Sequence, residues 1–409
     1  MKKWMKTFLA IGISLITFGI QPSYAAQPPA LPLEEIKGEG AILMDGSSGT
    51  VLFEKNPQQY LFPASITKIA TAIYAIENGN SNDIATVSNK ARTVEGSRVY
   101  LAEGEQVSMR NLLFGLILNS GNDAAIVIAE HMAGSTEAFA EKVNAYLKEK
   151  VGVKHTHFTN PHGLHDENHY TTAADMAKIA QYAMKNPFLR EIAGTKRYEW
   201  HQKEWDTVLV NHNKMLTTYE GTTGLKNGFT DQARNTLVVT AKRGDTELIA
   251  VTMKAPSNVV SYQDVHKMLD FGFANYESKK IVNAGQYLVY QPQNDTEKAA
   301  NFYTDKDLFI TVPKQTTYEQ KLLSNGDLVL TLSNGEERRL HLQPEVLPTA
   351  VSTTEAGEQA PTHNPIALYG VVVFWALLNL FFILFFIRLL RAKRRTRRTN
   401  NVVLRKRAN

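Results

Sequence analysis

The sequence Pro63-Ala64-Ser65-Ile66-Thr67-Lys68 precedes an apolar run in which isoleucine and alanine recur at helical spacing. This spacing predicts a helix from Ser65 to Asn78, and Gly79 suits the position just past its end. Residues three apart share a helix face, so the Ser65 hydroxyl and the Lys68 amine can meet. The backbone N–H of Ser65 lies in the first turn and has no partner within the helix. The segment therefore combines a nucleophile, a nearby base and a free donor, which suits acyl transfer.

A Ser-x-x-Lys motif is weak evidence by itself. About one match is expected by chance in a chain of this length and composition, and this chain contains only the one at Ser65. The alternative is an ordinary helix start, where serine is a common capping residue and the lysine is solvated. The motif gains meaning only if partner motifs occur elsewhere in the chain.

Composition limits the class of protein. The 409 residues allow two or three domains, and the absence of cysteine excludes disulfides and cysteine nucleophiles. The net charge of +5 comes from the two ends of the chain, and without their 13 basic residues it would be −8. These basic residues are Lys2, Lys3, Lys6, Arg388, Arg391, Lys393, Arg394, Arg395, Arg397, Arg398, Arg405, Lys406 and Arg407. A basic pI confined to the ends argues against nucleic acid as a partner.

The amino-terminal end has the pattern of a signal peptide. Three lysines precede an uncharged apolar core from Phe8 to Ile20, and Ser23-Tyr24-Ala25 supplies the small residues of a cleavage site. We expect cleavage after Ala25, which makes residues 1–25 the signal peptide. A retained anchor is the alternative, but the apolar run is short for a bilayer.

The carboxy-terminal end has the pattern of a membrane anchor. Residues 366–387 form a run of 22 without charge, in which Asn379 is the one strongly polar residue. The basic residues of 388–409 should remain cytoplasmic by the positive-inside rule. Residues 346–365, rich in Thr, Glu, Ala and Pro, suit a flexible tether. The sequence thus predicts a single-pass protein of the cell membrane whose remaining residues are extracytoplasmic.

Between the ends, apolar patterns predict two folded domains. For residues 26–278 we expect an α/β domain of the α+β type, with helices on an antiparallel sheet. Its strands are predicted at 41–45, 51–54, 225–230, 235–243 and 246–253, and its helices at 65–78, 109–118, 123–132, 136–150, 172–184 and 261–276. For residues 279–345 we expect a small all-β domain, with strands at 287–290, 308–312, 328–332 and 339–342.

Two further motifs follow Ser65 in the chain. Ser120-Gly121-Asn122 lies between two predicted helices, and Lys226-Asn227-Gly228 lies on a predicted strand where glycine permits close approach of a backbone. Taken singly, the first is ordinary turn chemistry and the second a solvated lysine beside a turn. In this order, the three motifs resemble the active-site set of the serine penicillin-recognising enzymes, whose relatives carry Ser-x-x-Lys, Ser-Asp-Asn and Lys-Thr-Gly.

Other features narrow the resemblance. The Ser-Gly-Asn form, the segment Asn160-Pro161-His162-Gly163-Leu164, the small β domain and the anchor are together similar to low-molecular-mass D-alanyl-D-alanine carboxypeptidases. The resemblance covers roughly residues 30–345. It implies a penicillin-binding, β-lactamase-like fold, peptidoglycan stem peptides as substrates and β-lactams as covalent inhibitors, without metal or cofactor.

The resemblance also implies roles for individual residues. Ser65 would be the acylated nucleophile, Lys68 its general base and Ser120 a proton relay to the leaving amine. Asn122 would hold the substrate amide, and Lys226 would attract the terminal carboxylate and lower the pKa of Lys68. Substrate binding would further involve Asn227, Gly228 and Phe229, the last through a backbone N–H that forms the oxyanion hole with that of Ser65.

One position departs from the family pattern. The family usually has threonine where this chain has Asn227, which predicts altered recognition of the substrate carboxylate. Two alternatives to a carboxypeptidase stay open. A β-lactamase would also be acylated on serine but would turn over penicillin rapidly, whereas a sensor or scaffold weakened through Asn227 would release no D-alanine.

A histidine-rich segment suggests a different chemistry. The histidines are His155, His157, His162, His165 and His169, with Asp166 and Glu167 among them. A zinc hydrolase needs convergent ligands of these types. The segment lacks His-Glu-x-x-His and has no clear helical periodicity, so we interpret these histidines as polar loop residues.

Overall fold

The computed structural model describes residues 30–292 and 298–345. The predicted signal peptide, tether, membrane span and basic tail lie outside these residues. Within the described part of the chain, no helix is long and apolar enough to cross a membrane.

Helices and strands are numbered here in chain order. The described α-helices α1 to α9 are Lys68–Asn78, Asn89–Thr93, Met109–Leu118, Asn122–Ala133, Thr136–Tyr146, Ala173–Ala183, Pro187–Gly194, Met215–Thr218 and Asn258–Asn275. The described strands β1 to β17 are Gly40–Asp45, Val51–Lys55, Ile84–Thr86, Gln106–Ser108, Arg197–His201, Asp206–Val210, Thr222–Thr230, Arg234–Arg243, Thr246–Ala255, Tyr276–Val282, Tyr287–Tyr290, Ala300–Tyr303, Leu308–Pro313, Tyr318–Leu322, Asp327–Leu332, Glu337–His341 and Gln343–Pro344.

The main sheet has five antiparallel strands in the order β2-β1-β9-β8-β7. Strand β1 is buried along its whole length, because both faces of the sheet are covered. Ile42 and Met44 pack on the helical side, and the alternating Ala41 and Leu43 pack with α9 on the other side. The two-residue period of a strand thus divides one apolar run between two cores.

The helical side holds the larger core. Helices α1, α3, α4 and α6 contribute about half of its buried side chains, including Ile69, Leu116 and Val127. Helix α3 spans the residues that its apolar pattern predicts, and α4 extends its prediction by one residue at each end. These two helices meet at Ser120-Gly121, so the second motif lies at a sharp turn between buried elements.

The β-rich segment after α9 has its own apolar cluster, which includes Val282, Phe302 and Leu330. It comprises one two-stranded and two three-stranded sheets, paired β10-β13, β11-β12-β17 and β14-β15-β16. Strand β11 has the predicted bounds, whereas β10, β12 and β14 were not predicted. Strand β10 follows α9 without a break, so no turn residue marks the change from helix to strand.

Two other predicted helices differ from the structure at one end. Residues Ala64–Thr67 form a 3₁₀ turn, and the α-helix begins only at Lys68. The helix predicted over 136–150 ends at Tyr146 and continues as a π-helical turn over Leu147–Val151. Helix α7 was missed although Asn186 caps it and Pro187 opens it, which is a readable start signal.

Candidate active site

Ser65, the predicted nucleophile, lies on the 3₁₀ turn that precedes α1. Ala64 has a φ of +51°, a left-handed conformation that is rare for a residue with a side chain. The turn places Ser65 three residues before Lys68, and the Lys68 Nζ lies 3.0 Å from the Ser65 Oγ. The predicted meeting of hydroxyl and amine is therefore present, although a 3₁₀ turn rather than an α-helical one produces it.

Lys68 is completely buried, and its amine has three oxygen partners. The Nζ lies 2.7 Å from the Asn122 Oδ1, 2.6 Å from the His162 carbonyl oxygen and 3.0 Å from the Ser65 Oγ. A neutral amine has two N–H groups and one lone pair. The carbonyl and amide oxygens can only accept, so they take the two N–H groups and leave the lone pair for the Ser65 hydroxyl.

Burial also favours the neutral amine. Desolvation lowers the pKa of Lys68 well below its usual value, and the charge of Lys226 lowers it further, while Asp123 raises it. Hydrogen bonding and electrostatics therefore agree that Lys68 can accept the serine proton.

The loop between α3 and α4 brings the second motif to Lys68. Ser120 is buried with a φ of +61°, and its hydroxyl has no hydrogen bond with any other described residue. Asn122 is the first residue of α4, and its Nδ2 donates to the Glu95 carbonyl at 2.6 Å. With its Oδ1 held by Lys68, the amide keeps one N–H for a substrate.

Asp123 orders the adjacent loop and was missed by the sequence analysis. Its buried carboxylate accepts from the backbone N–H groups of Val99 at 3.0 Å and Leu101 at 3.3 Å. Burial raises the pKa of Asp123, and these backbone donors oppose that shift. The segment that contains Gly96 and Ser97 is thereby held beside the Ser-Gly-Asn turn.

Strand β7 carries the third motif along the free edge of the sheet. Lys226 is 1% exposed, and its Nζ donates to the Asn227 carbonyl at 2.9 Å and to the Asn227 Oδ1 at 3.4 Å. Burial lowers the pKa of Lys226 to about 7. Because Lys226 occupies the amide oxygen, the NH₂ group of Asn227 is left as its free donor.

Gly228 permits the closest approach between β7 and the nucleophile. A Cβ at this position would lie 2.6 Å from the Ser65 backbone nitrogen and 2.7 Å from the Thr236 Oγ1. Thr236, on β8, donates to the Pro63 carbonyl at 2.9 Å. The backbone that approaches this glycine is that of the turn carrying Ser65.

The motifs line one cleft of about 450 Å³. Its lining comprises Ser65, Gly96, Ser97, Ser120, Asn122, His162, Gly163, Leu164, His212, Asn227, Gly228, Phe229 and Thr230. Lys68 and Lys226 lie beneath this surface. The side chain of Phe229 is 56% exposed and supplies an apolar surface at the cleft.

His212 is a cleft residue that no sequence motif indicated. Its backbone N–H donates to the Leu118 carbonyl at 3.0 Å, which ties the segment before α8 to the end of α3. Burial and the charge of Lys226 lower the pKa of His212 to about 4, so its imidazole is neutral near pH 7. Only the tertiary structure brings this side chain to the cleft.

The histidine-rich segment does not converge on a metal centre. Among residues 30–292 and 298–345, no group of three or more histidines and carboxylates is placed to hold an ion. His155 contacts the Tyr60 hydroxyl at 2.8 Å, and His165 contacts Glu167 at 3.3 Å. The segment instead contributes backbone groups to the site, since the carbonyl of His162 binds Lys68.

Comparisons with known proteins identify the family to which the chain belongs. The family model of the D-alanyl-D-alanine carboxypeptidases matches residues 23–257, and the chain belongs to this family. The chain is 37% identical to D-alanyl-D-alanine carboxypeptidase DacF of Bacillus subtilis over 298 residues, which are 70% of this chain and 75% of the relative. It is 32% identical to DacA of Haemophilus influenzae over 351 residues, which are 80% of this chain and 86% of the relative.

Solved structures show the same fold. Penicillin-binding protein 5 of Haemophilus influenzae superposes with a TM-score of 0.68 at 30% identity, covering 78% of this chain and 98% of that protein. The R248L mutant of the Streptomyces K15 DD-transpeptidase superposes with a TM-score of 0.56 at 31% identity, covering 58% of this chain and 98% of that protein. The expected penicillin-binding fold, with helices on an antiparallel sheet, is confirmed.

Proposed function

We propose that the protein is a serine-type D-Ala-D-Ala carboxypeptidase that removes the terminal D-alanine from peptidoglycan pentapeptide stems and binds penicillin. Membership of the family supports the activity. The main structural support is the buried Lys68 amine. Its Nζ lies 3.0 Å from the Ser65 Oγ, and its lone pair faces that hydroxyl. The substrate is a peptide with a free terminal carboxylate.

Acylation uses the three motifs together. The Ser65 Oγ attacks the carbonyl between the two D-alanines while its proton passes to the neutral Lys68. The backbone N–H groups of Ser65 and Phe229 bind the oxyanion that develops. Ser120 passes a proton to the leaving amine, the C–N bond breaks, and free D-alanine departs.

Deacylation completes the reaction. Water attacks the Ser65 ester while Lys68 accepts its proton. The acyl C–O bond then breaks, the proton returns to the Ser65 Oγ, and the shortened peptide leaves with a new carboxylate. Asn122 holds the peptide amide through its remaining N–H. None of these steps uses a metal or cofactor.

Recognition of the terminal carboxylate belongs to β7. The Lys226 ammonium supplies charge, and the Asn227 NH₂ group replaces the hydroxyl that the family usually places there. Gly228 lets these residues lie against the nucleophile turn. A donor is retained at the position, which favours an active enzyme over a decayed sensor.

The location of the enzyme follows from its sequence patterns. We propose a catalytic domain over 26–278 and a β-rich domain over 279–345, exported by a signal peptide over 1–25. A tether over 346–365 and a single membrane span over 366–387 would hold the enzyme at the cell-wall side, with 388–409 cytoplasmic. Fractionation tests this proposal, because a stop codon after Glu345 should release active enzyme from the membrane.

The decisive experiment labels the purified protein with a fluorescent penicillin and measures D-alanine released from an acyl-D-Ala-D-Ala peptide. Wild type should label stably and release D-alanine, and Ser65→Ala should do neither. Labelling of Ser65→Ala at the same site would refute the mechanism. Rapid hydrolysis of penicillin would indicate a β-lactamase, and labelling without D-alanine release would indicate a sensor.

A further inference from the structure

A buried histidine from the histidine-rich segment touches the nucleophile turn. His169 is 1% exposed, and its ring stacks on Phe158 with centroids 5.0 Å apart. Its Nδ1 lies 3.0 Å from the Thr159 backbone nitrogen, and its Nε2 lies 2.9 Å from the Thr67 Oγ1. The proposed mechanism gives this side chain no role. It nevertheless contacts Thr67, which follows Ser65 by two residues.

The donor and the acceptor of each hydrogen bond from Thr159 through His169 and Thr67 to Ala64 can be assigned. The Thr159 N–H can only donate, so the His169 Nδ1 accepts and the proton of the neutral ring is on Nε2. Burial lowers the pKa of His169 to about 3, which agrees with a neutral ring. The Nε2–H therefore donates to the Thr67 hydroxyl, and that hydroxyl donates to the Ala64 carbonyl at 2.9 Å.

The Ala64 carbonyl belongs to the same peptide unit as the Ser65 N–H. A trans peptide is planar, so its C=O and N–H point in opposite directions and any hydrogen bond that orients one also orients the other. Gly163 packs tightly against the same carbonyl group, because a Cβ at this position would lie only 1.9 Å from the Ala64 oxygen. The left-handed φ of Ala64 makes this peptide orientation costly unless neighbouring groups hold it.

We infer that His169 is a positioning residue of the oxyanion hole: acting through the Thr67 hydroxyl, it sets the plane of the Ala64–Ser65 peptide and so aims the Ser65 N–H. This inference rests on the proposed function, in which that N–H binds the oxyanion. Such a role adds nothing to binding of the ground-state substrate. Its loss should appear in kcat and in the affinity for tetrahedral adducts, with KM preserved.

The test compares two pairs of variants of the full-length protein in detergent. Thr67→Val removes the relaying hydroxyl at nearly constant shape, and Thr67→Ser retains it. His169→Phe removes the donor but keeps a ring against Phe158, and His169→Gln can donate from a similar position. The measurements are kcat and KM for an acyl-D-Ala-D-Ala peptide, the acylation rate with fluorescent penicillin, and Ki for a peptide boronic acid that forms a tetrahedral adduct.

Thr67→Val and His169→Phe should lower kcat and penicillin acylation about tenfold or more, since loss of a whole oxyanion donor costs roughly 100- to 1,000-fold. The boronate Ki should rise by a similar factor while KM stays within about twofold, and Thr67→Ser and His169→Gln should recover most of the activity.

Unchanged kcat and boronate Ki in folded Thr67→Val would overturn the inference. If Thr67→Val fails to fold, the histidine pair decides: equal losses in His169→Gln and His169→Phe would show that the donor is unimportant. A wild-type protein that neither labels nor releases D-alanine would refute the proposed function and this role together. Active wild type with unaffected variants would refute the positioning role alone.

Discussion

Lys68 and Lys226 are two buried amines with opposite requirements. In the proposed mechanism, Lys68 must be neutral to accept the Ser65 proton, whereas Lys226 must be charged to attract a carboxylate. Burial lowers the pKa of both lysines, and the charge of Lys226 lowers that of Lys68 further. This charge interaction links the two lysines, and the proposed active form has a neutral Lys68 and a protonated Lys226.

This coupling predicts a bell-shaped pH profile for acylation by a soluble β-lactam. The rate should rise with pH as Lys68 loses its proton, and it should fall above about pH 7 as Lys226 becomes neutral. The second-order acylation rate constant across the pH range measures both limbs. Lys226→Met should remove the alkaline limb, lower the maximum rate and move the acid limb to higher pH, because Lys68 then has no neighbouring cation. A wild-type rate that keeps rising into the alkaline range would contradict this assignment.

At the scale of elements, the site depends on how closely β7 approaches the 3₁₀ turn. Strand β7 is hydrogen-bonded to β8 on one side only, so its other edge is available to a peptide substrate. The turn is held against this strand by the Thr236 bond to the Pro63 carbonyl and by the absence of a side chain at Gly228. The separation between the strand and the turn therefore determines whether the oxyanion donors converge.

Gly228→Ala tests this separation. Its methyl carbon would lie 2.6 Å from the Ser65 backbone nitrogen. Neither atom can move by a change of rotamer, so only a shift of the strand or the turn can relieve this clash. Acylation by fluorescent penicillin should fall at least 100-fold, since displaced oxyanion donors lose roughly that much.

Gly194→Ala is the matched control for this substitution. Gly194 ends α7, and an added Cβ would meet only the Thr223 oxygen at an ordinary 3.4 Å. Its acylation rate should equal that of wild type. Normal acylation by Gly228→Ala would show that the strand and turn can separate without harm.

For the whole molecule, Asp45 connects the main sheet to the β-rich segment. Its buried carboxylate accepts from the Ser48 N–H at 2.7 Å and from the hydroxyl of Ser278 on β10. Ser48 in turn contacts the Thr311 hydroxyl at 2.6 Å. Strand β1, which carries Asp45, is separated from β7 by β9 and β8, so this junction is distant from the cleft along the sheet.

Asp45→Ala should therefore separate stability from catalysis. Loss of these buried hydrogen bonds should destabilise the protein by about 2–4 kcal/mol, because the Ser278 hydroxyl and two backbone N–H groups lose their acceptor. Thermal unfolding followed by circular dichroism should show a lower midpoint. The penicillin acylation rate, measured well below that midpoint, should remain at the wild-type value.

Asp45→Asn provides the comparison. Its side-chain oxygen can still accept from the N–H groups of Ser47 and Ser48, so it should lose less stability than Asp45→Ala. A reduced acylation rate in either variant, with the fold intact, would mean that the junction is coupled to the cleft.

Local sequence patterns were sufficient to predict several helices and strands of this molecule. Helix α3 and strand β11 have the predicted bounds because their apolar periodicity is regular and uninterrupted. Strand β10 was not predicted, because it follows α9 directly and no glycine or proline separates the helix from the strand. His212 and Asp123 belong to no motif, so their places at the site could not be predicted.

The sequence by itself determined which chemical groups the site contains, because the three motifs consist of residue types whose order and local spacing are visible in the chain. The tertiary structure decided what those groups can do. Lys68 meets Asn122 and the His162 carbonyl across 54 and 94 residues of sequence, and these contacts orient its lone pair. Burial lowers the pKa of both lysines, and the charge of Lys226 lowers that of Lys68 further. Both effects depend on the packing of distant segments around these lysines.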